Sequence, residues 1–187
     1  MPIIQDYLKG LSQCLKELSN DNIEEIVEII IDAWRKGKQI FIMGNGGSAT
    51  TASHFARDLR IGAAAKEKPR VRAYSLVDNM ALVTALANDI EYSSIFEEQL
   101  IGQLNKGDVV VGISASGNSP NVLKAIEFAR SQEAVTIGLI GFGGGRLKEL
   151  TDKSIVLSSK DYGQVEDTHL ILAHIISYLV KEKMAHG

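Results

Sequence analysis

Only one cysteine, Cys14, occurs in the 187 residues, so no disulfide can close within the chain. A lone thiol suits a reducing compartment and reads as a buried position on a helix face. There is no excess of positive charge: 20 Lys and Arg against 23 Asp and Glu give a net charge of -3. Such a balance excludes a general polyanion binder, because nucleic-acid affinity rests on many cations that neutralise phosphates. No stretch approaches the ~18 apolar residues of a membrane helix, and Met1–Asp6 lacks a basic segment leading into an apolar run. The expectation is a cytoplasmic protein that touches neither membrane nor nucleic acid. Internal repeats, linkers and low-complexity tracts are also missing. With 45% hydrophobic residues, residues 1–187 read as a single domain with a full core.

Two familiar phosphate motifs are absent as well. No Gly-Lys-Ser/Thr follows either glycine-rich turn, which excludes a P-loop. Gly44-Asn45-Gly46 misses the dinucleotide spacing, since Ala49 stands where its third glycine belongs. What is present is a pair of hydroxyl-rich turns, each running from an apolar strand into a helix. Gln39–Met43 leads into Gly44-Asn45-Gly46-Gly47-Ser48, and Val109–Ile113 leads into Ser114-Ala115-Ser116-Gly117-Asn118-Ser119. A helix N-terminus carries unpaired amide donors and partial positive charge, so close backbone approach plus serine hydroxyls suits a phosphate. The same residues also serve as plain tight turns and N-caps. The pair together points to a phosphorylated polyol.

Periodicity predicts amphipathic helices over 4–19 and about 20–36, the second stopped by Gly37. Their apolar faces require cover, either from a partner subunit or from the chain's own sheet. Strands are expected at 39–43, 71–76, 108–113, 134–140 and 154–158. Helices are expected at 48–60, 79–87, 91–104, 119–131, 145–151 and 165–184, with a loop over 62–70. Five strands separated by helices imply an α/β fold, a doubly wound five-stranded parallel sheet of the flavodoxin-like αβα sandwich type, preceded by two additional helices. Such sheets bind ligands where the strand order reverses, which places both turns at one site.

His54 and Asp58 lie four residues apart and share a helix face. Glu166 and His174 lie eight apart on the last helix, a rise of ~12 Å and about 80° beyond two turns, so they meet one ligand only if Glu166 reaches inward. Imidazoles with carboxylates suit zinc or another divalent ion, and equally a general acid and base. His169, five residues before His174, faces elsewhere. Asn88-Asp89 reads as a helix end whose polar atoms are also able to meet sugar hydroxyls. Arg57, Arg60, Lys66, Lys68, Arg70 and Arg72 form a basic patch that reads as a solvated face or an attractor of anions.

Gly44–Ser48 with His54-Phe55-Ala56, Asn88-Asp89, Ile113–Ser119 and Glu166 through His174 resemble the sugar isomerase (SIS) domain family, over essentially the whole chain. Within it they resemble the phosphoheptose isomerases, which convert sedoheptulose 7-phosphate to D-glycero-D-manno-heptose 7-phosphate for activated heptose and surface polysaccharide. The resemblance implies that Ser114, Ser116 and Ser119, with Ala115, hold the phosphate and Asn118 shapes the turn. It implies that Asn45, Gly46, Gly47, Ser48, Asn88, Asp89 and Glu166 line the sugar. Catalysis would fall to Asp58, Glu166 and His174, and one zinc per subunit to His54, Asp58, Glu166 and His174. It also implies a homotetramer with active sites at subunit contacts, residues 1–36 contributing to those contacts.

Three positions depart from the family pattern. Asp58 replaces Glu and shortens the base by one methylene; Glu166 replaces Gln and adds negative charge; Ala115 replaces Thr and removes a hydroxyl. The competing reading is a non-catalytic SIS protein that binds sugar phosphate or associates with the bacterial replication initiator. Retention of His54, His174 and the carboxylates favours the enzyme.

Overall fold

The computed structural model describes residues 2–64 and 67–186. Helices α1 (Pro2–Lys16) and α2 (Asn20–Arg35) precede strand β1 (Gln39–Gly44). The chain continues through α3 (Gly47–Arg57), a π-helical turn (Asp58–Gly62), β2 (Arg72–Ser75) and α4 (Met80–Asp89). A 3-10 turn (Tyr92–Ser94) and the single turn α5 (Glu97–Leu100) lead to β3 (Val109–Ser114) and α6 (Pro120–Ser131). Strand β4 (Val135–Ile140), α7 (Gly145–Leu150), β5 (Lys153–Val156) and α8 (Tyr162–His186) complete it.

All five strands pair in parallel in the order β2-β1-β3-β4-β5. The chain leaves β1 toward β2 and then returns to β3 on the other side, so the switch point falls between β1 and β3. Alternating side chains fill a layer on each face. Ile40, Ile42, Val109 and Val111 join one core with α2, α3 and α8, whereas Phe41, Met43 and Val110 join a second with α6 and α7. That two-sided burial makes these strands continuous apolar runs. The buried Asp108 carboxylate accepts from Gln39 N at 2.9 Å and Asn105 N at 2.8 Å, which pins the starts of β1 and β3 together.

Some expected boundaries move. The helix from residue 48 stops being α-helical at Asp58, where the π turn widens the backbone. The helix expected over 91–104 is replaced by the 3-10 turn and α5. There the buried Gln99 donates Nε2 to the Leu76 and Ile95 carbonyls, and Gly102, at φ +78°, turns the chain away. Strand β5 covers only 153–156, and α8 begins at Tyr162 rather than 165. Residues 65 and 66 of the expected 62–70 loop, hence Lys66 of the basic patch, lie outside the described residues.

The two leading helices differ in what covers them. Helix α2 buries Ile23, Ile26, Val27, Ile30, Ile31 and Ala33 against the chain's own sheet and α8. Helix α1 buries only Cys14 and leaves Ile3 at 76% and Leu8 at 53% exposure. It rests on α8, where the Tyr7 hydroxyl donates to Asp167 at 2.7 Å; that bond pushes the phenol pKa up to about 12. Helix α4, an apolar segment, buries none of its residues. No described helix is long and apolar enough to cross a membrane.

Candidate functional site

At the carboxyl ends of β1 and β3, two helices begin side by side. Helix α3 is capped by Gly46, whose φ of +54° turns the chain sharply, and no side chain consumes its first amides. Helix α6 follows Ser119, with Pro120 at its first position. The Ser119 hydroxyl caps no amide and instead lies 3.1 Å from Ser114 Oγ. A cavity of about 140 Å³ opens between these ends, lined by Asn45, Ser48, Ser114, Ala115, Ser116 and Ser119, with Tyr162 and Glu166 from α8. The uncapped start of α3 and four serine hydroxyls in one small concavity make an anion seat.

The second loop is held open by its own bonds. Gly117 N donates to Ser114 Oγ at 3.1 Å, and Asn118 N donates to Ser116 Oγ at 3.2 Å. The Asn118 amide spans outward, Nδ2 to the Ser116 carbonyl and Oδ1 from Arg146 N. Gly117 sits at φ +65°, and a Cβ there would stand 2.0 Å from the Gly144 carbonyl oxygen, so that backbone passes where only glycine fits. Asn45 is fixed by a reciprocal amide pair with the buried Asn121, at 2.8 and 2.9 Å, and by the Tyr92 hydroxyl at 2.8 Å. Neither Asn121 nor the two tyrosines was predicted. A polar residue just inside a helix start was the only signal for Asn121, and nothing local marks Tyr92 or Tyr162.

Farther along α3, and facing it on α8, stands the titratable cluster. His54 Nε2 is 3.0 Å from His174 Nε2 and 3.1 Å from Asp58 Oδ2, and His174 Nε2 is 3.7 Å from that oxygen. Asp58 is buried at 6% exposure, and its other oxygen accepts from Arg57 Nη1 at 2.5 Å. The shorter carboxylate therefore still reaches both imidazoles from the start of the π turn, a bulge type that often marks functional sites. Tetrahedral zinc with N and O ligands at 2.0–2.1 Å separates its ligand atoms by about 3.4 Å. Separations of 3.0, 3.1 and 3.7 Å bracket that value. Two imidazoles and a carboxylate also match the donor set of a catalytic zinc, with a fourth position left for substrate or water. These three residues form a cluster able to hold a metal ion.

Glu166 is not in that cluster. Its carboxylate lies over Gly47, where a Cβ would meet Oε2 at 2.1 Å. Thus α3 and α8 run alongside each other with Gly47 facing Glu166 near the serine loop and His54 facing His174 seven residues later. Asn88 and Asp89 end α4 exposed, Asn88 Nδ2 donating to Asp89 Oδ1 at 2.8 Å, and neither lines the serine-loop cavity. His169 faces away, as its spacing implied. It is fully buried, and burial pushes its imidazole pKa down to about 4.

Residues 5–141 match the SIS domain family, a span that includes both turns and His54 but stops before α8. The phosphoheptose isomerase of Trichlorobacter lovleyi is 37% identical over 179 residues, covering 96% of this chain and 90% of that protein. That of Thermodesulfovibrio yellowstonii is 40% identical over 160 residues, 86% and 79% of the two chains. The solved structure of a phosphoheptose isomerase from Francisella tularensis superimposes with a TM-score of 0.89 at 25% identity, covering 97% of each chain. The Trichlorobacter and Francisella matches, at 96% and 97% of this chain, reach into α8, beyond the matched domain segment. With a family match over most of its length and the serine loop at the sheet's switch point, the chain belongs to the SIS domain family.

Proposed function

We propose that the chain is a phosphoheptose isomerase, an aldose–ketose isomerase that converts sedoheptulose 7-phosphate to D-glycero-D-manno-heptose 7-phosphate in the cytoplasm, on the way to activated heptose. One observation carries this reading: a phosphate seat and a His–Asp–His cluster stand at two levels of the same helix pair. Eight residues of α8 separate Glu166 from His174, a rise of ~12 Å that is comparable with an extended seven-carbon phosphate. The relatives reported above, at 37% and 40% identity, carry the name of this activity.

In this reading Ser114, Ser116 and Ser119 hold the phosphate together with the Asn121 backbone N–H, since Pro120 has none and Val122 N donates to Asn121 Oδ1. Asn45, Gly46, Gly47, Ser48 and Glu166 orient the polyol, and Asn88 and Asp89, which do not line that cavity, would reach sugar at a subunit contact. The ketose presents C1 and C2 to the cluster. Asp58 removes a proton from C1, the electron pair forms the enediol, and the proton returns to C2. His174, 3.7 Å from Asp58 Oδ2, carries the compensating proton from the C1 hydroxyl to the C2 oxygen. Proton transfer by positioned groups of this kind contributes ~100- to 10,000-fold. The same three side chains, His54, Asp58 and His174, would hold a divalent ion such as zinc, which would supply Lewis-acid polarisation of the substrate carbonyl; Asp58 Oδ2 and His174 Nε2 would then be ligands rather than proton carriers. Glu166, lying outside that cluster, acts on hydroxyls at the phosphate end.

The exposed apolar residues of α1 and α4 support a homo-oligomer, which we take to be a tetramer of this single SIS domain with residues 1–36 among its contacts. Sedimentation at micromolar protein reads the state directly; a monomer would reject this part. The activity is tested with five-, six- and seven-carbon ketose phosphates in deuterated water. Deuterium appears at C2 of the seven-carbon aldose, and His174→Ala suppresses it by 100-fold or more. Exchange undiminished in that variant, or confined to five- or six-carbon sugars, overturns the assignment.

A further inference from the structure

A second cavity, of about 460 Å³, lies at the open edge of the sheet between α3 with its π turn and the edge strand β2. Four arginines line it, Arg57, Arg60, Arg70 and Arg72, and Asp78 is the one carboxylate on its wall. It shares no lining residue with the serine-loop cavity.

In a chain of net charge -3, four guanidinium groups around one concavity repel each other and leave most of their charge uncompensated. The existing contacts use little of it. Arg57 pairs with Asp58 at 2.5 Å, Arg72 Nη1 donates to the Gly37 carbonyl at 2.9 Å, and Arg60 lies 5.3 Å over the Tyr74 ring. Arg70 has neither ion pair nor hydrogen bond among the described residues. Positive charge focused between low-dielectric walls concentrates anions. The planar guanidinium fork matches pairs of phosphate oxygens, and four forks exceed what one phosphoryl group can accept. Ser53 and Ser75 hydroxyls on the wall add neutral donors, and the volume is that of a small-ligand site.

We propose that this cavity is a second anion site, separate from the serine loop, that takes a small organic phosphate bearing a di- or polyphosphate group. Its position makes it regulatory. Arg57 is both a wall of the cavity and the partner of Asp58, and Ser53 and Arg57 sit on the same helix as His54. An occupant that recruits Arg57 competes with Asp58 for it and changes how that carboxylate is held beside the imidazoles. The inference rests on the cavity's charge and shape and stands whether or not the chain isomerises heptose phosphate.

The test is calorimetric titration with inorganic pyrophosphate at low salt, using the full chain. Binding is expected in the unmodified protein and in Ser116→Ala/Ser119→Ala, and weakens by about tenfold or more in Arg70→Gln/Arg72→Gln, since a charge-assisted hydrogen bond contributes ~1.5–3 kcal/mol. Arg70→Gln alone, which removes no ion pair or hydrogen bond among the described residues, weakens it several-fold and so guards against a folding artefact. Pyrophosphate binding unchanged by the arginine substitutions, or lost only in the serine variant, overturns the proposal. So does an unmodified protein that binds no pyrophosphate while Arg70→Gln/Arg72→Gln sediments as a smaller species, because the cavity then seats an acidic face of another copy.

Discussion

His169 makes acid stability measurable at a single residue. It is fully buried on α8, and neither ring nitrogen has a hydrogen-bond partner of ordinary geometry. Loss of hydration lowers its pKa from 6.5 to about 4; the Ile140 carbonyl favours the charged ring but is outweighed. As pH falls below 6.5 the unfolded chain takes up a proton at this imidazole while the native chain stays neutral. The unfolded state therefore binds more protons, and stability falls with falling pH. The contribution is fully present above 6.5, lost progressively between 6.5 and about 4, and constant below, where the native ring charges as well.

The interval between the two pKa values corresponds to about 3 kcal/mol, most of it expressed between pH 7 and pH 4.5. That is a large part of the ~5–15 kcal/mol that holds a domain together. Other groups titrate in this range, so the quantity to measure is a difference. Urea unfolding at fixed protein concentration is followed from pH 7 to 4.5 for the unmodified chain and for His169→Phe, which keeps a ring and cannot titrate. The unmodified chain should lose about 2–3 kcal/mol more than the variant, whatever the variant's stability at pH 7. Parallel profiles would show that the buried ring finds a proton acceptor in solution and refute the reasoning.

Three further substitutions follow from the site. In Gly47→Ala the new Cβ meets the Glu166 carboxylate, the far end of a long side chain, at 2.1 Å, so the chain folds with unchanged or slightly higher stability, Ala being up to ~1 kcal/mol better than Gly in a helix, while KM for sugar phosphate rises. Lower thermal stability with unaltered KM would show that Glu166 does not face substrate. Gly117→Ala forces a side chain into a left-handed turn against the Gly144 backbone oxygen and should cost about 2 kcal/mol or more in urea unfolding together with phosphate affinity; a silent change would mean the loop relaxes freely. His54→Ala removes one donor of the three-residue cluster and should abolish stoichiometric zinc in metal analysis of dialysed protein. Retention of one equivalent would place the ion elsewhere.

How much of this was legible beforehand depended on whether local chemistry or tertiary approach decides. The strands of the switch point, β1 and β3, each end in a turn whose glycines and serines have local causes, and the order β2-β1-β3-β4-β5 places both where expected. The π turn at Asp58 was not readable, because Ser48 through Arg60 keeps one helical pattern and the widening shows only in the backbone. The segment 91–104 misled for a related reason: its helical spacing is real, but Gln99 is buried and drawn to the Leu76 carbonyl. On α8 periodicity separated His169 from His174 correctly, since the relative angle of two side chains on one helix is a property of that helix alone. Whether Glu166 and His174 reach one point is not such a property. It depends on the track of α3, and a helix that lies alongside keeps eight residues of axial separation between them, delivering one side chain to the phosphate seat and the other to the imidazole cluster. The same parallel track is what gives an elongated sugar phosphate a contact at each end, so the feature that divides the expected quartet is also the one that suits a long substrate.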